Sequence, residues 1–174
     1  MANSKPQQLA LTGLAAAFIC IFGPLILPIP ISPVPISLCT LAIYFCGYLL
    51  GSKCAVVSVL IYLLIGFLGV PVFSGFTSGP GHLLGPTGGY LIGYLLLALI
   101  CGQSRGKSRS HLLVSCLTGT IICYALGTLW LALQNQLSLP TACMAGVVPF
   151  LIGDFVKLFI VTIAGPGIYK RLQL

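Results

Sequence analysis

Six apolar stretches, divided by clusters of proline, glycine and polar residues, organise the chain. They cover residues about 8–27, 36–51, 54–70, 87–101, 112–133 and 141–164. Helices end at residues such as those in the proline-rich PIPISPVP after the first stretch and the glycine-rich PVFSGFTSGPGHLLGPTGG after the third. A helix needs about 20 apolar residues to cross a bilayer core. The pattern therefore predicts six transmembrane helices.

Composition supports a membrane protein with no separate soluble part. Hydrophobic residues make up 58% of the 174 residues and charged residues 5%, against about 25% charged in a soluble domain. Six spans with short links account for the whole length. The sequence predicts one all-α integral membrane domain over residues 1–174.

Basic residues predict how this domain lies in the membrane. Seven of the eight fall on one side of the six-span arrangement: Lys5, Lys53, Arg105, Lys107, Arg109, Lys170 and Arg171. Because cytoplasmic loops collect Lys and Arg, both termini should be cytoplasmic, with the links 28–35, 71–86 and 134–140 external. The bases form no patch interleaved with stacking groups, so the net charge of +7 does not indicate nucleic-acid binding.

The chain's only acidic residue, Asp154, lies in the sixth apolar stretch, three positions before the eighth base, Lys157. A separation of three places both side chains on one helix face. Each charge costs about 2.5–3.5 kcal/mol at the centre of a membrane helix, so the pair predicts a polar cavity near the middle of the bundle. It could line a solute site or lock helices together without a ligand. Pro149 would kink this span.

The link over 71–89 is the second candidate region. Its glycines would let backbone approach a ligand closely, although such a segment could equally be a flexible connector. It is not a phosphate-binding loop, because G-x-x-x-x-G-K-[ST] is missing. Tyr62, Tyr90, Tyr124 and Trp130 could stack on a ring or could be packing residues.

The sequence offers no basis for catalysis. There is no second carboxylate for acid and base work. The eight cysteines form no C-x-x-C pair and are interpreted as packing residues rather than metal ligands. We therefore predict no enzyme activity, no metal and no bound cofactor. The chain is expected to capture a solute with energy supplied by another protein.

Four motifs resemble one family across nearly the whole chain: SPVPISLCTLAIYFCGYLLG, LLIGFLGVPVFSG, LLGPTGGYLIGY and PFLIGDFVKL. By these the chain is identified as a member of the BioY family, the biotin-specific substrate-capture (S) components of energy-coupling-factor (ECF) transporters. The resemblance implies a six-helix S-component bundle in a bacterial-type cytoplasmic membrane, capturing biotin from outside. It also implies docking onto a coupling membrane protein and two ATPase subunits, which hydrolyse the ATP.

The resemblance also implies the substrate site. Asp154 and Lys157 would meet the N–H groups and the carbonyl of the ureido ring, respectively. Backbone N–H groups of the 75–89 segment, or His82, would hold the carboxylate. The full set of expected substrate-binding residues is Asp154, Lys157, Phe73, Gly75, His82, Thr87, Gly88 and Tyr90.

The chain departs from the family pattern at two places. Cys39 stands where members typically have Gln in the second span. The A-x-x-x-A docking face of the first helix is not literally present, but Gly13 with Ala17 and Thr12 with Ala16 keep its small-residue spacing. Two other functions stay open: a stand-alone biotin facilitator and a structural membrane-assembly protein with an Asp–Lys helix lock.

Overall fold

The computed structural model describes residues 5–27 and 36–172, and the predicted external link 28–35 lies outside them. Two short strands, β1 (Ile26–Leu27) and β2 (Ile36–Ser37), pair antiparallel on either side of that link. The helices are α1 (Lys5–Phe22), α2 (Cys39–Leu50), α3 (Ser52–Phe67), α4 (Pro80–Leu83), α5 (Gly88–Gly102), α6 (Arg109–Asn135), α7 (Leu139–Gly146) and α8 (Val148–Leu172). Apart from these two short strands, the described elements are helices, as the sequence predicts.

Three of the described helices, α1, α6 and α8, are long and apolar enough to cross a bilayer. The helices α2, α3 and α5 are apolar but shorter, at 12, 16 and 15 residues. Helix α2 lies at the centre of the bundle and packs against α1, α3, α5 and α8. Gly51, with φ of +85°, makes the turn from α2 into α3, a backbone conformation that glycine adopts at little cost.

The sixth apolar stretch is not the single helix that its sequence predicts. The chain breaks at Val147, where φ is −122° and ψ is −54°, and separates α7 from α8. Pro149 therefore lies in the first turn of α8, where a missing N–H costs little, and does not kink a continuous span. At its other end α8 continues through Pro166 to Leu172.

This change moves the charged pair along its helix. Asp154 lies six residues after the start of α8, or about 9 Å along the axis, instead of near the middle of a span. Lys157 lies about 22 Å from the end of α8 at Leu172. The pair belongs to the end of the bundle that carries the 71–87 link.

Helix α8 is apolar on the outside and charged on the inside. Its outward face carries Ile152, Phe155 and Phe159, of which Phe155 is 75% exposed. Its inward face carries Asp154 and Lys157, which are 5% and 4% exposed. Large exposed apolar surfaces are rare on soluble monomers, whereas this arrangement suits a helix with lipid on one side.

The 71–87 link is an ordered part of the fold. It contains α4, which the sequence did not predict, and its backbone is tied to the bundle through Gly79 N–H, which donates to the Gly66 carbonyl at 2.8 Å. Phe73 is fully buried against α3 at Gly66, where a methyl group would overlap the phenyl ring. Trp130 of α6 donates to the Gly85 carbonyl at 2.9 Å. These contacts argue against a flexible connector.

Candidate functional site: a buried ion pair in an aromatic cavity

A cavity of about 190 Å³ lies between the 71–87 link and the inward faces of α2, α5, α6 and α8. Its polar lining comes from Ser37, Thr40, Ser74, His82, Thr87, Asp154 and Lys157, and its aromatic lining from Tyr62, Tyr90, Tyr94, Tyr124 and Phe150. Leu91, Cys123, Leu131 and Gly146 complete the wall. An apolar cavity of about 150 Å³ accommodates benzene, so this space is large enough for a small ring system.

The Lys157 ammonium is fully satisfied by the protein. Its Nζ donates to Asp154 Oδ1 at 2.6 Å, to the Ser37 carbonyl at 2.6 Å and to Thr40 Oγ1 at 3.0 Å. An ammonium has three N–H donors, and these three acceptors use all of them. Lys157 therefore ties α8 to the start of α2. A ligand carbonyl would have to displace one of these acceptors.

The Asp154 carboxylate keeps accepting capacity. Its Oδ1 receives the Lys157 bond and a longer contact from Thr40 Oγ1 at 3.4 Å, while its Oδ2 receives the Tyr124 hydroxyl at 2.5 Å. A carboxylate oxygen offers two lone-pair sites. The described contacts leave one of these sites on Oδ2, so Asp154 is built to accept a further N–H or O–H donor inside the cavity.

Local structure at the start of α2 places the partners of Lys157. Ser37 ends β2, and its hydroxyl donates to the Gly23 carbonyl at 3.0 Å and accepts from the Cys39 N–H at 3.1 Å. These bonds fix the backbone at the point where the Ser37 carbonyl meets Lys157. Thr40 follows in the first turn of α2, one helical turn beyond Ser37, and presents its hydroxyl to the same ammonium.

The aromatic wall is held by close packing. Tyr90 of α5 lies against Gly127 of α6, where a methyl group would overlap its ring. Its hydroxyl donates to the Gly146 carbonyl at 2.9 Å, at the end of α7. The rings of Tyr90 and Tyr124 lie 6.2 and 6.4 Å from the ring of Phe150, within the range of favourable aromatic contacts. The three rings form one apolar surface beside Asp154.

His82 lies on the link side of the cavity. Its ring stacks on Phe73 with centroids 5.4 Å apart, and its Nε2 lies 3.4 Å from Thr87 Oγ1. Burial lowers the pKa of His82 below its ordinary value. The imidazole is therefore mostly neutral at pH 7, and it offers a hydrogen bond rather than a positive charge to a ligand.

Five of the eight predicted substrate-binding residues line this cavity: Asp154, Lys157, His82, Thr87 and Tyr90. Three others are placed elsewhere. Phe73 is buried behind His82, and Gly75 forms an exposed turn with φ of +72°. Gly88 is a close-packing position, because a side chain there would overlap the Leu83 carbonyl.

Several lining residues were missed by sequence reasoning, including Ser37, Thr40, Tyr94 and Phe150. A signal for two of them was present. Ser37 and Thr40 lie three positions apart at the start of the second apolar stretch, the same spacing as Asp154 and Lys157. Tyr94 and Phe150 carried no such signal, because aromatic residues are common in apolar helices.

The predicted docking residues divide between two faces of α1. Thr12 and Ala16 are buried, and the Thr12 carbonyl accepts from Ser58 of α3 at 2.9 Å. Gly13 and Ala17 are exposed. The buried pair therefore packs inside the bundle, and only Gly13 and Ala17 are available to a partner.

Within residues 5–27 and 36–172, no group of three or more His, Cys, Asp or Glu side chains is placed to hold a metal ion. The buried side-chain polar atoms of the same residues all have hydrogen-bond partners. The site thus combines one carboxylate that can accept another donor with a wall of aromatic rings. Such a site suits reversible binding of a heterocycle that carries N–H groups.

Comparisons with known proteins find a family and relatives that are similar to this chain. The BioY family model matches residues 1–174. The chain is 35% identical to the biotin transporter BioY2 of Lactococcus lactis subsp. cremoris, covering 99% of this chain and 96% of the relative. It is 36% identical to the biotin transporter BioY of Thermotoga maritima, covering 97% and 98%.

A solved structure is similar over almost the whole fold. The 2.1 Å crystal structure of the S-component for biotin from an ECF-type ABC transporter has a TM-score of 0.86 and 31% sequence identity, covering 98% of this chain and 94% of that one. The likeness confirms the predicted S-component-like bundle.

Proposed function

The chain belongs to the BioY family, and we propose that it takes up biotin across the cell membrane as the substrate-binding S component of an ECF-type transporter. It is a transport protein rather than an enzyme. The observation that carries the proposal is the buried Asp154, whose Oδ2 retains accepting capacity inside a cavity with aromatic walls. Biotin offers a matching group, the N–H of its ureido ring.

In this proposal the ureido N–H donates to Asp154 Oδ2 beside the Tyr124 hydroxyl. Lys157 acts mainly by positioning the carboxylate, because its three donors already have acceptors. The thiophane ring lies against Tyr90, Tyr124 and Phe150. This assignment changes the role of Lys157 from a direct ligand of the ureido carbonyl to the residue that holds the Asp154 carboxylate in place.

The valerate carboxylate would point toward the link side of the cavity. Among the residues that the structure describes, Lys157 is the only Lys or Arg that lines it, and His82 is mostly neutral. The carboxylate would therefore be met by hydroxyl and imidazole donors from Ser74, Thr87 and His82.

The arrangement in the membrane is part of the proposal. We place six spans in one domain over residues 1–174 of a bacterial-type cytoplasmic membrane, with both termini cytoplasmic and the cavity open to the outside. The positive-inside pattern supports this orientation. Energy would come from ATP hydrolysed by two ATPase subunits, through a coupling membrane protein.

Docking of the coupling protein is assigned to the exposed small residues Gly13 and Ala17 of α1. Replacing both with Leu should abolish uptake by the assembled transporter and leave biotin binding intact, because neither residue contacts the cavity. Uptake that persists in the double variant contradicts this docking face. A stand-alone facilitator is tested in liposomes that lack the coupling module, where our proposal predicts no uptake.

Equilibrium binding to the purified chain tests the function itself. Titration with biotin should be saturable at one site per chain, while a heterocyclic vitamin without a ureido group, such as thiamine, should not compete. The helix-lock alternative has an observation in its favour, since Lys157 joins α8 to α2. It predicts no saturable biotin binding, and that result would overturn the transport proposal.

A further inference from the structure

A second cavity, of about 200 Å³, lies at the other end of the bundle, where α1 begins, α2 ends and α3 begins. Lys53 and Arg105 both line it. The Arg105 stem crosses Gly51, and its Nη1 donates to the Leu50 carbonyl at 3.0 Å. A guanidinium has five N–H donors, and this bond uses one of them. Donors and the positive charge therefore remain for an anion.

The chain itself cannot neutralise this pocket. Asp154 is its only acidic side chain, and that carboxylate is bound to Lys157 inside the other cavity. The counter-charge for Lys53 and Arg105 must therefore come from outside the sequence. Lys53 lies in the first turn of α3, and Arg105 lies three residues after the end of α5. When the helices cross a bilayer, this end of the bundle corresponds to the depth of phospholipid headgroups.

An apolar groove of about 690 Å³ adjoins the basic pocket and shares Leu11 and Leu50 with it. It runs along α1 from Gln7 to Ile21, or about 21 Å at 1.5 Å per residue. One leaflet of hydrocarbon is about 15 Å thick. Phe45 and Leu49 of α2 form the opposite wall. The groove is long enough for an acyl chain that descends from a headgroup at the pocket.

We propose that this pocket and groove together form a binding site for an anionic phospholipid in the chain that is not docked on its coupling protein, since docking would cover Ala17 in the same groove. The phosphate diester lies between Lys53 and Arg105, and one acyl chain lies in the groove between α1 and α2. Basic pockets between membrane helices are suited to anionic headgroups. The adjoining apolar groove distinguishes the site from a surface that attracts any phosphate.

Native mass spectrometry of the purified full chain tests the site with equal amounts of dioleoyl phosphatidylglycerol and dioleoyl phosphatidylcholine. We expect the phosphatidylglycerol adduct to exceed the phosphatidylcholine adduct by about tenfold. Lys53→Gln with Arg105→Gln should reduce this preference to about twofold or less. The matched control, Lys107→Gln with Arg109→Gln, removes two positive charges outside both cavities and should keep the preference. Ala17→Trp, which fills the groove, should lower the adduct.

Several results would overturn the site. Equal losses in the two double variants would mean a general charge effect. If glycerol phosphate competes as well as the whole lipid, and if Ala17→Trp has no effect, the groove takes no acyl chain. A groove occupied by a second copy of the chain would show no preference between the lipids. If the first double variant fails to fold, Lys53→Gln alone should still reduce the preference by about threefold, and an unchanged preference would contradict the proposal.

Discussion

The two ends of the bundle treat charge in opposite ways. At one end, Asp154 and Lys157 are almost completely buried, and their hydrogen bonds cross-link three helices. At the other end, Lys53 and Lys107 are exposed, and no acidic side chain is available to pair with them. Burial with many partners fixes the position of a carboxylate for a ligand. Exposure leaves the bases free to orient the chain and to meet anions outside it.

The largest effect that separates the two ends should come from removing Lys157. Lys157→Met leaves Asp154 buried without its partner, and breaking a buried pair costs about 3–5 kcal/mol. Thermal unfolding of the purified protein should show the loss. Lys107→Met, at the exposed end, should change the unfolding free energy by less than about 0.5 kcal/mol.

A double variant adds the control for this comparison. Asp154→Asn combined with Lys157→Met removes both charges, so it should be more stable than Lys157→Met alone, and it should bind biotin only weakly. A double variant that keeps full affinity would show that the pair stabilises the contact between helices and does not bind biotin.

A smaller effect is expected from Tyr124→Phe. The change keeps the ring in the cavity wall but removes the hydroxyl that donates to Asp154 Oδ2. A hydrogen bond to a charged group contributes about 1.5–3 kcal/mol to stability. Without it the carboxylate can leave the position that the ligand N–H needs, so biotin affinity by isothermal titration should fall about tenfold. Tyr48→Phe, which removes a hydroxyl bound to the Lys107 carbonyl at the opposite end, should change affinity by less than about twofold. Equal losses in both variants would contradict the assignment.

The smallest effect is expected from His82→Gln. Because burial lowers the pKa of His82 in the folded protein, the folded state favours the neutral ring. The contribution of His82 to the unfolding free energy should be fully present above about pH 6.5, the pKa of His in the unfolded chain. It should be lost as the pH falls below that value. His82→Gln should flatten this part of the curve of Tm against pH and change biotin affinity at pH 7 by about threefold at most. A loss of a hundredfold would mean that His82 carries positive charge to the ligand.

Sequence alone located the centre of the site but not its surroundings. Asp154 and Lys157 were identifiable because charge inside an apolar stretch is costly. Their partners Ser37 and Thr40 are more than a hundred residues away in the chain, and local patterns do not report such contacts. The Val147 break was missed because the apolar pattern runs through it. The sequence left open that the 71–87 link is a flexible connector. The link is ordered by the packing of Phe73 at Gly66, a tertiary contact that a local pattern does not report.

The central claim is that a ligand N–H donates to the Asp154 carboxylate. Isothermal titration of biotin and of its two N-methylated ureido derivatives, against the unmodified chain and Asp154→Asn, tests it directly. We predict that methylation of one ureido nitrogen weakens binding to the unmodified chain by about 100-fold, and that Asp154→Asn binds this derivative and biotin with nearly equal, weak affinity. If each methylated derivative loses the same affinity, relative to biotin, for the unmodified chain and for Asp154→Asn, the account is contradicted.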